Sequence, residues 1–285
     1  MNNPQQTAFF TVFYPGAELY FNDFARSLEK QTYKNFDITF VNDGMQNISS
    51  YMNDFTFLNW KEFKVSGSPE KIREKALVKL KKAGYQYIIL GDADDFFKEN
   101  RIAVARDYLK KNDIVVNDVS LFDEKGFSCR KWFSNRLQNN TNIRLEFILD
   151  KNIFGLSNTS IRTECIDENF SVREDTVATD WHLFASMLAK DFKAIFTNDT
   201  ETLYRQHQKN AAGLGKISEA YILRGITAKK VVLEELNKIQ PLFLKQYAHF
   251  KKREKEIQDP DFFKKYFERV KQNNINYPLW WEEIF

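Results

Sequence analysis

The sequence predicts an α/β fold, a mostly parallel, doubly wound sheet followed by a C-terminal helical extension. Three observations carry that expectation. Short apolar and β-branched runs alternate with segments of helical periodicity across residues 8–116, the pattern of strands joined by right-handed crossovers. Two of the runs close on acids, Asp43 and the group Asp92, Asp94 and Asp95, and such sheets bind ligands beyond the carboxyl ends of their strands. After Gly213-Leu214-Gly215 the pattern turns helical almost to the end, broken at Pro241 and Pro260. The expected domains are therefore residues 1–215 and residues 216–285.

The elements follow in order. Ala8 to Tyr14 reads as a strand closed by Pro15-Gly16, and Phe21, Phe24, Ala25 and Leu28 recur at helical spacing. Phe36 to Val41 is a second strand, ended by the turn signal Asn42-Asp43-Gly44. Lys61 to Val65 is a weaker third strand. A helix then begins after Ser68-Pro69-Glu70, with proline suited to its first turn, and stops at Gly84. Tyr85 to Gly91 is the fourth strand. A helix near 99–111 and a strand at Asp113 to Val116 come next. Residues 118–165 read as short strands and turns with a short helix near 143–150. Asp180 to Ala189 is helical, whereas Lys193 to Phe196 and Leu203 to Gln206 read as edge strands.

Composition bounds the function. With 285 residues, 43% hydrophobic and 28% charged, the chain is an ordinary globular protein able to bury a substantial core. Its 27 Phe and 12 Tyr make aromatics the main packing material. A net charge of +3 is too small to indicate nucleic acid, and no nucleic-acid module is recognisable. Residues 1–215 hold 28 basic and 29 acidic side chains, whereas 216–285 hold 14 and 10, so the tail is the basic part. No apolar run reaches the roughly 18 residues of a membrane span, and the first six residues carry no leader signal. Cys129 and Cys165 lack metal-type spacing, which fits a reducing, cytoplasmic setting.

The chemistry gathers at Asp92-Ala93-Asp94-Asp95. Carboxylates this close repel one another and lose solvation on burial. A hard divalent cation reverses that balance, because carboxylate oxygens suit Mg²⁺ and Mn²⁺. The alternative is a solvated acidic turn in which Asp94 or Asp95 caps the next helix. In a parallel sheet Asp43, Asp92 and Asp94 would face one ligand from the same edge.

An ordered set of motifs over residues 8–213 resembles the family 2 inverting glycosyltransferases, which have the nucleotide-sugar-binding GT-A fold with its Rossmann-like sheet. The set begins with a strand closing on Pro15. It continues with Ser27-Leu28-Glu29-Lys30-Gln31-Thr32-Tyr33-Lys34-Asn35-Phe36, leading into Val41-Asn42-Asp43-Gly44. Then come Arg73, the DxD motif Asp92-Ala93-Asp94, and Gly155-Leu156-Ser157-Asn158, which resembles the stretch where the family meets its acceptor. Thr179-Asp180-Trp181 and Tyr204-Arg205-Gln206-His207, with Asn210 and Gly213, complete it. Two family acids are replaced, by Asn42 and by Thr179.

The resemblance implies a UDP-sugar donor, a Mn²⁺ or Mg²⁺ cofactor, and a glycan or lipid-linked acceptor in bacterial surface polysaccharide or glycoconjugate synthesis. It implies nucleotide-sugar binding by Pro15, Asp43, Arg73, Asp92, Asp94 and Arg205, metal binding by Asp94 and His207, and Asp180 as the catalytic base. Glu174 and Asp175 are rival bases, and His182 reads as structural. Two other functions stay open on residues alone: a nucleotide-sugar-binding module without catalysis, suggested by Asn42 and Thr179, and an aspartyl-nucleophile phosphatase. The basic and aromatic tail, with Lys251-Lys252-Arg253 and Phe262-Phe263, suits packing on the catalytic domain, a homodimer contact or peripheral membrane contact.

Overall fold

The computed structural model describes residues 6–169, 171, 173, 176–207, 218–241, 243–272 and 278–282. Its sheet is built around β1 (Thr7–Phe13), a strand buried at every position. Strand β1 pairs in parallel with β2 (Asp37–Asn42) on one side and β4 (Tyr87–Leu90) on the other. Beyond β2 lies the short parallel β3 (Trp60–Glu62). Beyond β4, the antiparallel β9 (Thr159–Arg162) joins this group to β6 (Ile114–Asp123). Strand β6 runs parallel to β10 (Ala194–Arg205), whose far side carries the two-residue antiparallel β5 (Phe96–Phe97). The order is β3-β2-β1-β4-β9-β6-β10-β5, with β7 (Gly126–Cys129) on β6 and β8 (Thr141–Ile143) on β10. The α/β class and the parallel arrangement of the first four strands match the sequence expectation.

The crossovers supply the helices. Helix α1 (Phe21–Glu29) buries Phe21, Phe24, Ala25 and Leu28, the spacing visible in the sequence. A short α2 (Ile48–Asn53), absent from the sequence expectation, precedes β3 and packs Ile48, Tyr51 and Met52, all partly buried, against the core. Helix α3 (Pro69–Lys82) starts with Ser68 at the N-cap and proline in the first turn, and buries Ile72, Ala76, Leu77 and Leu80. Helix α4 (Arg101–Leu109) follows β5 and buries Arg101 beside Ile102, Ala105 and Leu109.

One expectation is corrected. Lys193 to Phe196 and Leu203 to Gln206 do not form two edge strands. They are the two ends of β10, which lies between β6 and β5. The intervening Asn198-Asp199-Thr200 forms a bulge, seen as a register shift between Thr197 and Glu201. The Asp199 amide, which the bulge leaves off the ladder, donates to Thr197 Oγ1 at 3.2 Å.

The chain gathers into two compact units. The first takes the described residues within 1–142, 155–172 and 192–206 and holds the sheet. Its core is aromatic: Phe9, Phe13, Phe21, Phe24 and Phe97 are all buried. Phe9 meets Phe97 edge-on at 5.0 Å between ring centroids, a favoured aromatic geometry.

The second unit takes the described residues within 143–154, 173–191 and 207–285. Its helices are α5 (Thr179–Leu188), α6 (Glu219–Ile239), α7 (Leu244–Glu256) and α8 (Pro260–Gln272). Helix α6 packs on α5 and α7. Trp181 Nε1 donates to the Ile148 carbonyl at 2.8 Å, and Phe154 packs on Phe184 with centroids 5.2 Å apart. Ile222, Ile226, Ile257, Tyr266 and Val270 form a further apolar cluster. The expected domain break at 213–216 lies outside the described residues. Among the described residues, no helix is long and apolar enough to cross a membrane.

Candidate active site

Three strand ends converge on one edge of the first unit. The parallel register sets Phe13 of β1 beside Asn42 of β2, and the Asp43 amide donates to the Phe13 carbonyl at 2.7 Å. The Gly91 amide donates to the Phe10 carbonyl at 3.0 Å. Tyr14-Pro15, Asp43 and Asp92 therefore leave the sheet side by side, as the strand grammar expects. Gly44 adopts φ +101°, a conformation glycine tolerates, and the Pro15 ring packs against it. Asn42 is spent on its own turn: Oδ1 accepts from the Met45 amide at 2.9 Å, and Nδ2 donates to the Met45 carbonyl at 3.1 Å. An asparagine here closes the turn and leaves Asp43 to carry the charge.

Between these ends runs a narrow crevice lined by Thr11, Val12, Arg73, Leu77, Asp92 and Leu156. Arg73 projects from α3, with Nη2 3.9 Å from Asp92 Oδ1. A third of the Asp92 side chain still reaches solvent. Burial pushes the Asp92 carboxyl up to about 6; Arg73 and Arg101 oppose that rise and Asp94 adds to it. A separate cavity of about 730 Å³ lies between α1 and residues 96–100 and contains none of the three acids.

The acid turn is held from beneath. Asp95 neither caps α4 nor faces solvent: it is fully buried, and its Oδ1 accepts from the Arg205 amide at 2.7 Å. The N-cap position of α4 belongs to Asn100. Burial first, then Asp94 and Asp92, hold the Asp95 carboxyl well above the usual carboxylate range. Arg205 lies along the same turn. Its Nε donates to the Asp94 carbonyl at 2.9 Å, Nη2 donates to Asp23 Oδ2 at 2.8 Å, and the guanidinium stacks between Tyr20 and Phe122.

Tyr14 and Arg101 escaped the sequence reading as site residues, and Ser157 was read only as part of the acceptor stretch. The Tyr14 hydroxyl donates to Asp94, and burial, followed by that carboxylate, keeps the phenol far above its ordinary pKa, so it stays a donor. Ser157 Oγ accepts from the Asp92 amide at 3.3 Å, which places part of the presumed acceptor stretch under the acid turn. Arg101 is wholly buried and donates to the carbonyls of Leu90, just before the acids, and of Ser157. Only the polar residue at an apolar helical position hinted at Arg101, and nothing local marked Tyr14.

Asp180 belongs to the second unit, as does His207. It lies in the first turn of α5, and its Oδ1 accepts from the Trp181 amide at 2.7 Å. The N-cap position is Ala178, which offers no side-chain cap. His182 is buried in α5, and burial pulls its pKa below the ordinary value. Glu174, Asp175, Asn210 and Gly213 lie outside the described residues.

The donor set suits a hard divalent cation, since it consists of carboxylate oxygens at a mouth that remains partly open. Among the described residues, no three His, Cys, Asp or Glu side chains are grouped to hold a metal by themselves. Mg²⁺ and Mn²⁺ at phosphate-transfer sites commonly take one or two carboxylates and draw other ligands from the phosphates.

Residues 11–163 match the family described as Glycosyl transferase family 2. No curated protein sequence matches the chain. Among solved structures, Staphylococcus aureus TarS 1–349 in complex with UDP-GlcNAc superposes with a TM-score of 0.60 at 16% identity, covering 86% of this chain and 72% of that one. The mannosyltransferase PcManGT from Pyrobaculum calidifontis, in complex with GDP-Man and Mn²⁺, gives 0.58 at 13% identity over 88% and 70%. GalNAc-T7 with UDP, GalNAc and Mn²⁺ gives 0.52 at 12% over 98% and 59%. At these identities the likeness is one of fold, and that fold is GT-A.

Proposed function

Since the chain belongs to glycosyl transferase family 2 and is a glycosyltransferase, we propose that it transfers a sugar from a UDP-activated donor to an acceptor hydroxyl, with inversion and with Mn²⁺ or Mg²⁺. One observation carries the reading: Asp43 follows β2 and Asp92 follows β4 on the same edge of the parallel sheet, and Arg73 meets Asp92 in the crevice beside them. Bound nucleotide-sugars and Mn²⁺ in neighbours of the same fold support it.

In this reading Asp43 accepts hydrogen bonds from the base, and Pro15 flanks it. Asp92 accepts from the ribose hydroxyls while Arg73 balances its charge. Asp94, steadied by Tyr14, and His207 would hold the cation, which supplies Lewis-acid neutralisation of charge on the departing diphosphate. Arg205 fixes the turn that presents Asp94 and adds positive charge beside the phosphates. Asp180 takes the proton from the acceptor hydroxyl as that oxygen attacks the anomeric carbon, and a single displacement inverts the centre. The acceptor class we propose is a glycan or lipid-linked glycan in bacterial surface polysaccharide or glycoconjugate assembly. The basic, aromatic helices of residues 216–285 suit a peripheral contact at the cytoplasmic membrane face or a dimer contact.

Calorimetry tests the donor half. UDP should bind at least about tenfold more tightly with Mn²⁺ than with chelator, and Asp94→Ala should abolish that difference. Equal affinity in both conditions removes the metal-bridged reading. A panel of nucleotide sugars then separates a transferase, which releases nucleoside diphosphate, from a binding module, which does not turn over.

A further inference from the structure

We propose that Arg101 is a positioning residue for donor binding: from inside the core it ties the strand end before the acid turn to the Ser157 loop and to β6. This deepens the reading of the same edge as the donor site and rests on it.

The geometry is specific. Arg101 is completely buried, at the first position of α4. Its Nη2 donates to the Leu90 carbonyl at 2.9 Å and to the Ser157 carbonyl at 3.0 Å. Leu90 is two residues before Asp92. Nε donates to Asn117 Oδ1 at 2.9 Å, so β6 is joined as well. The guanidinium lies 5.0 Å from the Phe97 ring centroid, just after the acid turn.

Ser157 closes the loop. Its carbonyl also accepts from Thr202 Oγ1 at 2.8 Å, and its hydroxyl accepts from the Asp92 amide at 3.3 Å. Ser157 also hydrogen-bonds the Asp95 side chain. The planar fork of an arginine can reach three acceptors at once, which a lysine cannot reproduce.

Burial agrees with the geometry. A buried guanidinium left without acceptors is costly, so a fold keeps one where hydrogen bonds satisfy it. Asp95 is itself wholly buried, and its Oδ2 and Arg101 Nη1 lack hydrogen-bond partners among the described residues. Arg101 is a positioning residue and not itself a donor ligand: its action runs through Leu90 and Ser157.

The test uses the full chain and three variants, Asn117→Ala, Arg101→Lys and Arg101→Met. Amide hydrogen exchange is followed without ligand, and UDP affinity is measured with Mn²⁺ present. In variants that still melt cooperatively, residues 91–97 should exchange at least tenfold faster while β1 and β2 keep their protection. A general loss of stability would instead raise exchange across the sheet. UDP affinity should fall at least tenfold in the same variants. Asn117→Ala removes the side-chain acceptor of Arg101 Nε and keeps the result decisive if both arginine variants unfold. Unchanged protection of residues 91–97 in a cooperatively melting variant overturns the proposal, as does UDP affinity within twofold of the parent. If the parent itself binds no UDP, the donor reading has failed, and the exchange measurement alone decides whether Arg101 positions the turn.

Discussion

Gly91 separates β4 from the acid turn, and a Cβ there would lie 2.2 Å from Phe9 Cζ and 2.7 Å from Phe97 Cζ. Both rings belong to the buried core, so neither can simply swing into solvent. Gly91→Ala should destabilise the first unit by about 1–3 kcal/mol, the usual cost of overpacking, read as a lower urea midpoint with an unchanged slope. Full stability would show that the aromatic core yields more easily than this packing implies. Asp180→Asn separates two roles. Asparagine can still accept the Trp181 amide that Asp180 Oδ1 now accepts, so the helix start should survive and melting should barely shift. If Asp180 is the base, transfer should drop by at least ~10²-fold with UDP affinity unchanged. Retained transfer at normal UDP affinity would sink that assignment.

At the scale of elements, α5 carries a pH dependence that can be measured. His182 is buried, and its pKa is lowered chiefly by desolvation, with Glu235 opposing and Lys238 and Arg173 reinforcing. The folded chain therefore binds this proton less readily than the unfolded chain, whose histidine titrates near the ordinary 6.5. The stability contribution is fully present above that value and is lost as pH falls from there through the lower folded pKa. Melting temperature in chelator should thus decline below about pH 6.5. His182→Gln should flatten that decline, and an equal slope in parent and variant would remove the role of His182. The same helix shows how far sequence periodicity reaches. Trp181, Phe184 and Leu188 were legible as one face, yet the helix is buried nearly all round. Strand β10 shows the opposite limit. Its bulge residues carry turn chemistry, and only pairing with β6 makes them part of a strand.

Over the whole molecule, the tail belongs to the second unit along with α5. Helix α6 buries Ile222, Ile226, Val231, Val232, Leu233 and Leu236, and α5 is among the helices it packs on. Deleting residues 216–285 should leave UDP binding with Mn²⁺ within about threefold of the parent, since the proposed donor groups other than His207 lie in the first unit. Solubility and transfer should both fall, because α5 loses apolar cover worth roughly 25 cal/mol per Å². A truncated chain that melts cooperatively yet binds no UDP would show that donor binding needs the second unit.

The sequence by itself determined the alternation of strands and helices, and with it the parallel edge where Asp43 and Asp92 emerge side by side. That follows because strand period, turn residues and proline placement are local signals, and parallel register then leaves little choice about which ends meet. It also showed the crowding of the acids, and left a cation site and a solvated acidic turn as the two ways to bear it. Only the tertiary structure decided how that crowding is tolerated. Asp95 turns inward to the Arg205 amide, Tyr14 donates to Asp94, and Arg101 lies buried between Leu90 and Ser157. These partners are distant along the chain, from Tyr14 to Arg205, and their meeting depends on packing. An arginine reads as a solvated helix face until burial and three acceptors show otherwise.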